Sequence, residues 1–139
     1  MSQAAVVLVD TSVWVRFFRH PDTQEAKKLD RLLENDAVAT CEPIRAEILS
    51  GALNERDFHK LADVFKALIH LEPPAEMWDR ISRDRFSLAK RGYFCSLIDI
   101  WIAIVSQVHH TPLWSLDKDF QFIASVVSFE AFMSAKDKV

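Results

Sequence analysis

The chain has 139 residues, half of them hydrophobic, which is enough to bury a sizeable core in one domain, so residues 1–139 are expected to form a single unit. Its net charge of -3 with 27% charged residues gives no global basic signature of nucleic-acid binding. With only Gly51 and Gly92 for glycines, no GxGxxG, Walker A or GxSxG motif can be written, and HExxH and Cys-rich zinc patterns are missing too.

The first element is "VVLV", residues 6–9, an apolar β-branched run of the kind found in strands covered on both faces, and it ends directly on Asp10. Val13, Trp14, Phe17 and Phe18 then recur at helical spacing. "DTQEAKKLDRLLEND" predicts a helix opened by a capping box of Asp22 and Glu25. "AVAT" at 37–40 predicts a short strand, and "EPIRAEILSGAL" a helix with Pro43 near its start. Two amphipathic helices are expected over 54–69 and 75–91, separated by "HLEPP". "SLIDIWIAIVSQVHH" predicts an apolar helix, "TPLWSLDKDF" a strand running into an acidic turn, and "SVVSF" at 125–129 a last strand. Strands alternating with helices indicate an α/β layered domain around a parallel sheet.

Four acids lie against this apolar grain. Asp10 and Asp117 end strands. Asp99 sits in the first turn of a helix that is apolar nearly all round, and Glu47 lies about 60° from Ile44 on a face shared with Ile48 and Gly51, expected to turn toward the core side. Each has a structural explanation when taken alone. Asp10 and Asp117 can cap the helices that follow, Asp99 fits a capping box with Ser96, and Glu47 can reach water or a basic partner. Taken together, converging carboxylates would repel one another and raise their pKa values unless a divalent cation compensates. Hard oxygen ligands suit Mg²⁺ or Mn²⁺, and the chemistry that follows is metal-assisted hydrolysis of a phosphodiester. No histidine base is required, and His109 and His110 fit a helix end. Cys41 and Cys95 stand alone and suggest small core residues in a reducing cytoplasm. The N-terminus lacks the pattern of a secretory signal and no run is long enough for a membrane span, so a cytoplasmic location without membrane contact is expected.

"VDTSVWV", "PIRAEILSG" and "LIDIWIAIVSQVHHTPLWSLDKDF" together resemble the PIN domain, and within it the VapC-type toxin ribonucleases, across residues 6–122. The last stretch is the most specific, since an Asp on an apolar helix is followed 18 residues later by a strand-end Asp and then Phe120. The resemblance implies a three-layer α/β/α PIN-like domain with a short central parallel sheet. It makes Asp10, Glu47, Asp99 and Asp117 the catalytic acids, with Asp10 and Asp99 as principal ligands of Mg²⁺ (or Mn²⁺). Glu47 and Asp117 would complete the site through water or a second ion, and Ser12 and Ser115 match the small hydroxyl positions beside the acids. Asp119 is a second candidate beside Asp117, and Ser96-Leu97-Ile98 stands where many members carry a proline-led turn. The implied activity is endonucleolytic RNA cleavage by the toxin of a type II toxin–antitoxin pair, a homodimer silenced by a cognate antitoxin. The alternatives are an RNA-processing PIN nuclease without antitoxin and a catalytically silent scaffold that binds RNA or protein. A haloacid-dehalogenase-type phosphatase would need a second Asp where Ser12 stands. Arg80, Arg83, Ser87 and Arg91 share one helical face within about 40°, either a stripe that grips RNA phosphates or a solvated face laced with Asp79 and Asp84.

Overall fold

The computed structural model describes residues 5–132. In chain order the elements are β1 (Val7–Val9), α1 (Thr11–Arg19), α2 (Gln24–Glu34), β2 (Val38–Thr40), α3 (Glu42–Ser50), α4 (Glu55–Lys66), β3 (Ile69–His70), α5 (Met77–Lys90), α6 (Leu97–Val108), β4 (Leu113–Trp114) and α7 (Asp119–Ile123). The strands form one parallel sheet in the order β3-β2-β1-β4. Leu8, at its centre, lies opposite Ala39 on one side and Leu113 on the other. This is the α/β fold with a central parallel sheet expected from the alternation of elements.

The strand order dictates the layers. From β1 through β2 to β3 the chain steps one way across the sheet, and from β3 to β4 it jumps back past β1. Parallel crossovers are right-handed, so the helices of the first two connections cover one face and α5 and α6 cover the other. The packing agrees: α1 lies on α2 and α3, α3 on α4, α5 on α6, and α6 on α7. β1 and β4 are therefore neighbours whose connections leave on opposite faces. Their carboxyl ends form the crevice where open α/β sheets bind ligands. Both strands are buried, which explains why "VLV" and "LW" carry no polar residue. α6 is buried from Ile100 to Ser106, and Ser106, its one polar residue there, donates to the carbonyl of Thr111 at 2.6 Å.

Four local expectations need correction. α2 is capped by Thr23 and not by Asp22: Thr23 Oγ1 accepts from Ala26 N at 3.3 Å while donating to His20 O at 2.8 Å. A hydroxyl can do both at once and a carboxylate cannot. The helix expected over 54–69 stops at Lys66, and Ile69 and His70 form an edge strand instead. The segment 125–129 forms no strand. α7 lies just before it, and Val126 N and Val127 N bond back to Ile123 O, so among the described residues the chain regains the sheet as a single bridge between Leu113 and Ala131. Glu47, expected to turn toward the core, is exposed, because Ile44, Ile48 and Leu49 already fill the buried face of α3.

Candidate active site

Asp10 is built into the end of β1. Its backbone N–H continues the sheet ladder to Trp114 O at 2.9 Å, and its side chain caps α1. One carboxylate oxygen, Oδ2, accepts from Ser12 Oγ and Ser115 Oγ, each at 2.8 Å, and from Ser12 N at 3.4 Å. The same two hydroxyls accept in turn: Ser12 Oγ from Leu116 N at 2.9 Å, and Ser115 Oγ from Asp117 N at 3.0 Å. A single carboxylate thus ties the end of β1 to the turn after β4. Among the described residues its other oxygen, Oδ1, takes no hydrogen bond, and Asp10 itself is only 5% exposed. The capping role and a place in the cleft are compatible, since one oxygen serves each.

Asp99 reaches the same crevice from the first turn of α6. Ser96 caps that helix, its Oγ accepting from Asp99 N at 3.0 Å. The half-buried carboxyl of Asp99 is pushed up from 3.8 to about 6. Burial is the largest cause, followed by the charges of Asp10 and Asp117; the Ser96 hydroxyl opposes the rise and Asp119 adds to it. Asp117, at the turn after β4, folds an Asx turn in which its Oδ1 accepts from Asp119 N at 2.9 Å. That turn brings Asp119 in. Asp99, Asp117 and Asp119 each present a carboxylate oxygen, all within 4.8 Å of one another.

Glu47 stands apart from that trio. It projects from α3 and accepts a hydrogen bond from Thr11 Oγ1 at 3.0 Å, which anchors it to the first turn of α1, next to Asp10. Cys41 is near enough to both to feel their charges. Its thiol is pushed up to about 12, chiefly by burial, with the charges of Asp10, Glu42 and Glu47 adding to the rise. The structure therefore groups Asp99, Asp117 and Asp119, leaves Asp10 outside that trio but near enough for its charge to act on Asp99, and ties Glu47 to Thr11, the residue after Asp10. Thr11 escaped the sequence reading, since nothing in its spacing connects it to a residue 36 positions away. Both cysteines are buried and free, as expected of core residues.

The donor set fits a hard divalent cation: every grouped side chain offers carboxylate oxygen, and Asp99 titrates high because burial, and then the charges of its acidic neighbours, disfavour its ionised form. The arginine face is less uniform than its spacing suggests. Arg80 turns to hydrogen-bond Gln107 on α6, Arg91 Nη1 donates to Ser125 O at 3.3 Å, and Arg83 is exposed. Asp84, on the same helix, has a raised pKa from burial, which Arg80 and Arg83 partly offset. His109 ends α6 with Nε2 2.7 Å from Glu72 O, at the opposite end of the helix from Asp99.

Residues 7–125 match the PIN domain model. The chain belongs to the PIN-domain family. It is 32% identical over 130 residues to the VapC ribonuclease Mb1587 of Mycobacterium bovis, with 91% of this chain and 97% of the relative covered. Ribonuclease VapC11 of Mycobacterium tuberculosis matches with the same identity and coverage. Among solved structures, VapBC-1 from nontypeable Haemophilus influenzae superposes with a TM-score of 0.73 at 20% identity, covering 91% of this chain and 96% of that one. That likeness shows the PIN fold. No helix among the described residues is long and apolar enough to cross a membrane.

Proposed function

We propose that this PIN domain is a metal-dependent endoribonuclease and the toxin of a type II toxin–antitoxin pair. The observation that carries the reading is the convergence of Asp99, Asp117 and Asp119 beside Asp10 at the switch point of the sheet. VapC ribonucleases covering nearly the whole chain support the choice of RNA. Asp10 and Asp99 would be the principal ligands for Mg²⁺, or for Mn²⁺, with Asp117 or Asp119 completing the site. A cation held there would offer positive charge to the scissile phosphate and make water a stronger acid. The chain's own residues set the geometry. Ser12 and Ser115 hold Asp10 in one rotamer and position the Asp117 backbone. Thr11 holds Glu47 where it can accept a proton from water or orient it. Hydrolysis adds water across one phosphodiester, breaking one P–O bond, so each cut leaves a phosphate monoester and a hydroxyl.

A surface groove supports the reading of an antitoxin partner. A groove of about 620 Å³ runs between α1, α3 and α4, lined by Thr11 and Glu47 at the acids and by the exposed side chains of Phe18, Leu53 and Val64. An apolar segment of a partner protein seated there would reach the acids at one end. The active form is taken to be a homodimer in the cytoplasm. The deciding experiment incubates purified protein with single-stranded RNA in EDTA and in Mg²⁺. Cleavage is expected only with the metal, and Asp99→Asn should abolish it. A folded Asp99→Asn protein with full activity would overturn the reading. Binding and silencing by the product of a small neighbouring gene would separate a toxin from an RNA-processing nuclease.

A further inference from the structure

The loop between α5 and α6 carries a feature that the acids do not explain. Phe94 is 82% exposed, although it lies between the half-buried Tyr93 and the buried Cys95. One exposed ring alone is ordinary, whereas a contiguous apolar patch rimmed by polar groups marks a contact surface. Phe94 borders a cleft of about 410 Å³ whose lining also includes Ser82, Arg85, Phe86, Tyr93 and Leu97. Phe86 is 63% exposed, so two rings face solvent around one concavity.

The cleft adjoins the acids by construction. Tyr93 stacks on Phe122 with ring centroids 4.5 Å apart and planes 23° from parallel, and Phe122 follows Asp119 by three residues on α7. On the other side, Ser96 caps the helix that carries Asp99, two residues beyond Phe94. Arg85 fixes the loop between, its Nε donating to Cys95 O at 3.1 Å. The charges of Asp119, Asp99 and Asp117 reach Cys95, the residue next to Phe94.

We propose that this cleft seats an unpaired nucleobase of the RNA substrate, stacked on Phe94, beside the phosphate presented to the acids. The proposal rests on the ribonuclease reading above and names how that substrate is held. Proteins that read single-stranded RNA splay bases onto aromatic rings and guanidinium planes, and Phe94, Phe86, Tyr93 and Arg85 are that set of groups. Stacking is sequence-tolerant, so the cleft fixes the strand's path while base-edge contacts elsewhere choose the sequence. It also supplies affinity that a net acidic chain does not obtain from its overall field.

The test measures binding of a 12-nucleotide unstructured RNA in EDTA, where cleavage is blocked, to wild type, Phe94→Leu and Phe94→Trp, with solution mass recorded for each. Leucine keeps an apolar side chain and removes the π-face; tryptophan keeps the face. Because the ring is largely in water, all three proteins should melt alike. Phe94→Leu should lose roughly 5- to 150-fold in affinity at unchanged mass, the range for one base on one ring, and Phe94→Trp should bind as wild type. Equal affinity of the leucine variant overturns the proposal. So does a loss that appears only together with a fall in mass, which would make the face a contact between two copies of the chain. Wild type that cleaves RNA while Phe94→Leu binds normally leaves the ribonuclease reading standing and removes only the stacking site.

Discussion

Asp99→Asn removes one charge from the crevice and nearly preserves side-chain shape, and without metal it should stabilise the protein at neutral pH. The Asp99 carboxyl titrates at about 6 in place of 3.8, because burial and then the charges of Asp10 and Asp117 disfavour its ionised form. The difference, about 6 less 3.8, is roughly 2 units, which at about 1.4 kcal/mol per unit sets a ceiling of about 3 kcal/mol. Asp99 keeps some contact with water, and that screening lowers the expected gain to about 1–2 kcal/mol. The folded-state pKa is raised above the unfolded value, so ionisation favours unfolding. Below about pH 4 the carboxyl is neutral in both states and Asn confers nothing. Between about pH 4 and 6 the wild type loses stability relative to the variant, and above pH 6 the gap is constant. For a chain of 139 residues that gap corresponds to roughly 3–8 °C in melting temperature. Thermal melts of both proteins in EDTA from pH 4 to pH 8 measure it. Mg²⁺ should then reverse the order, adding about 2.7 kcal/mol to the wild type at 100 times its Kd and little to the variant. An Asn variant that melts below wild type at pH 8 in EDTA, or an offset identical at pH 4 and pH 8, refutes the argument.

Ser115→Ala removes a hydroxyl from Asp10 and the acceptor for Asp117 N, and should lower Mg²⁺ affinity about 10- to 100-fold by calorimetry; unchanged affinity would leave Ser115 a bystander. Asp117→Asn should reduce RNA cleavage more than Asp119→Asn, because Ser115 pins the backbone of Asp117 itself, and the reverse order would make Asp119 the fourth acid. Thr11→Val should lower the rate of RNA cleavage without changing the melting temperature by more than a few degrees, since it frees a single exposed carboxylate, Glu47. Changing Arg83 and Arg91 together to Glu should flatten the salt dependence of RNA binding by about 2 in slope, and an unaltered slope would make them a solvated face.

What the sequence showed depended on whether a residue's environment was local. The end of β1 was legible because an apolar run stopping on Asp10 has the same meaning wherever the strand sits in the sheet. Asp99 was legible because the apolar residues around it left nowhere for α6 to lie except inside. The failures are non-local. Ile69 and His70 form a strand only because Thr40 and Ala39 offer an edge, and neither residue is buried. Arg80 follows the spacing of a surface stripe, yet Gln107 on the neighbouring helix draws it inward. Glu47 shares a helical face with core residues, yet Thr11 draws it toward the crevice and leaves it in solvent.

The choice between Asp117 and Asp119 shows why two acids two residues apart resist assignment from spacing. In an extended strand, positions i and i+2 point to the same side; in a helix they diverge by about 200°. Here neither rule applies, since the intervening backbone is an Asx turn made by Asp117 itself. By accepting from Asp119 N, the Asp117 side chain starts α7 and carries the second carboxylate back to within 4.8 Å of Asp99. The residue that ends the strand therefore also places its competitor. Asp117→Asn keeps an oxygen at that position and should keep the turn, whereas Asp117→Ala loses both the charge and the turn. If Asp119 is a ligand, alanine at 117 must weaken Mg²⁺ binding more than asparagine does. If Asp119 is idle, the two substitutions should weaken it alike.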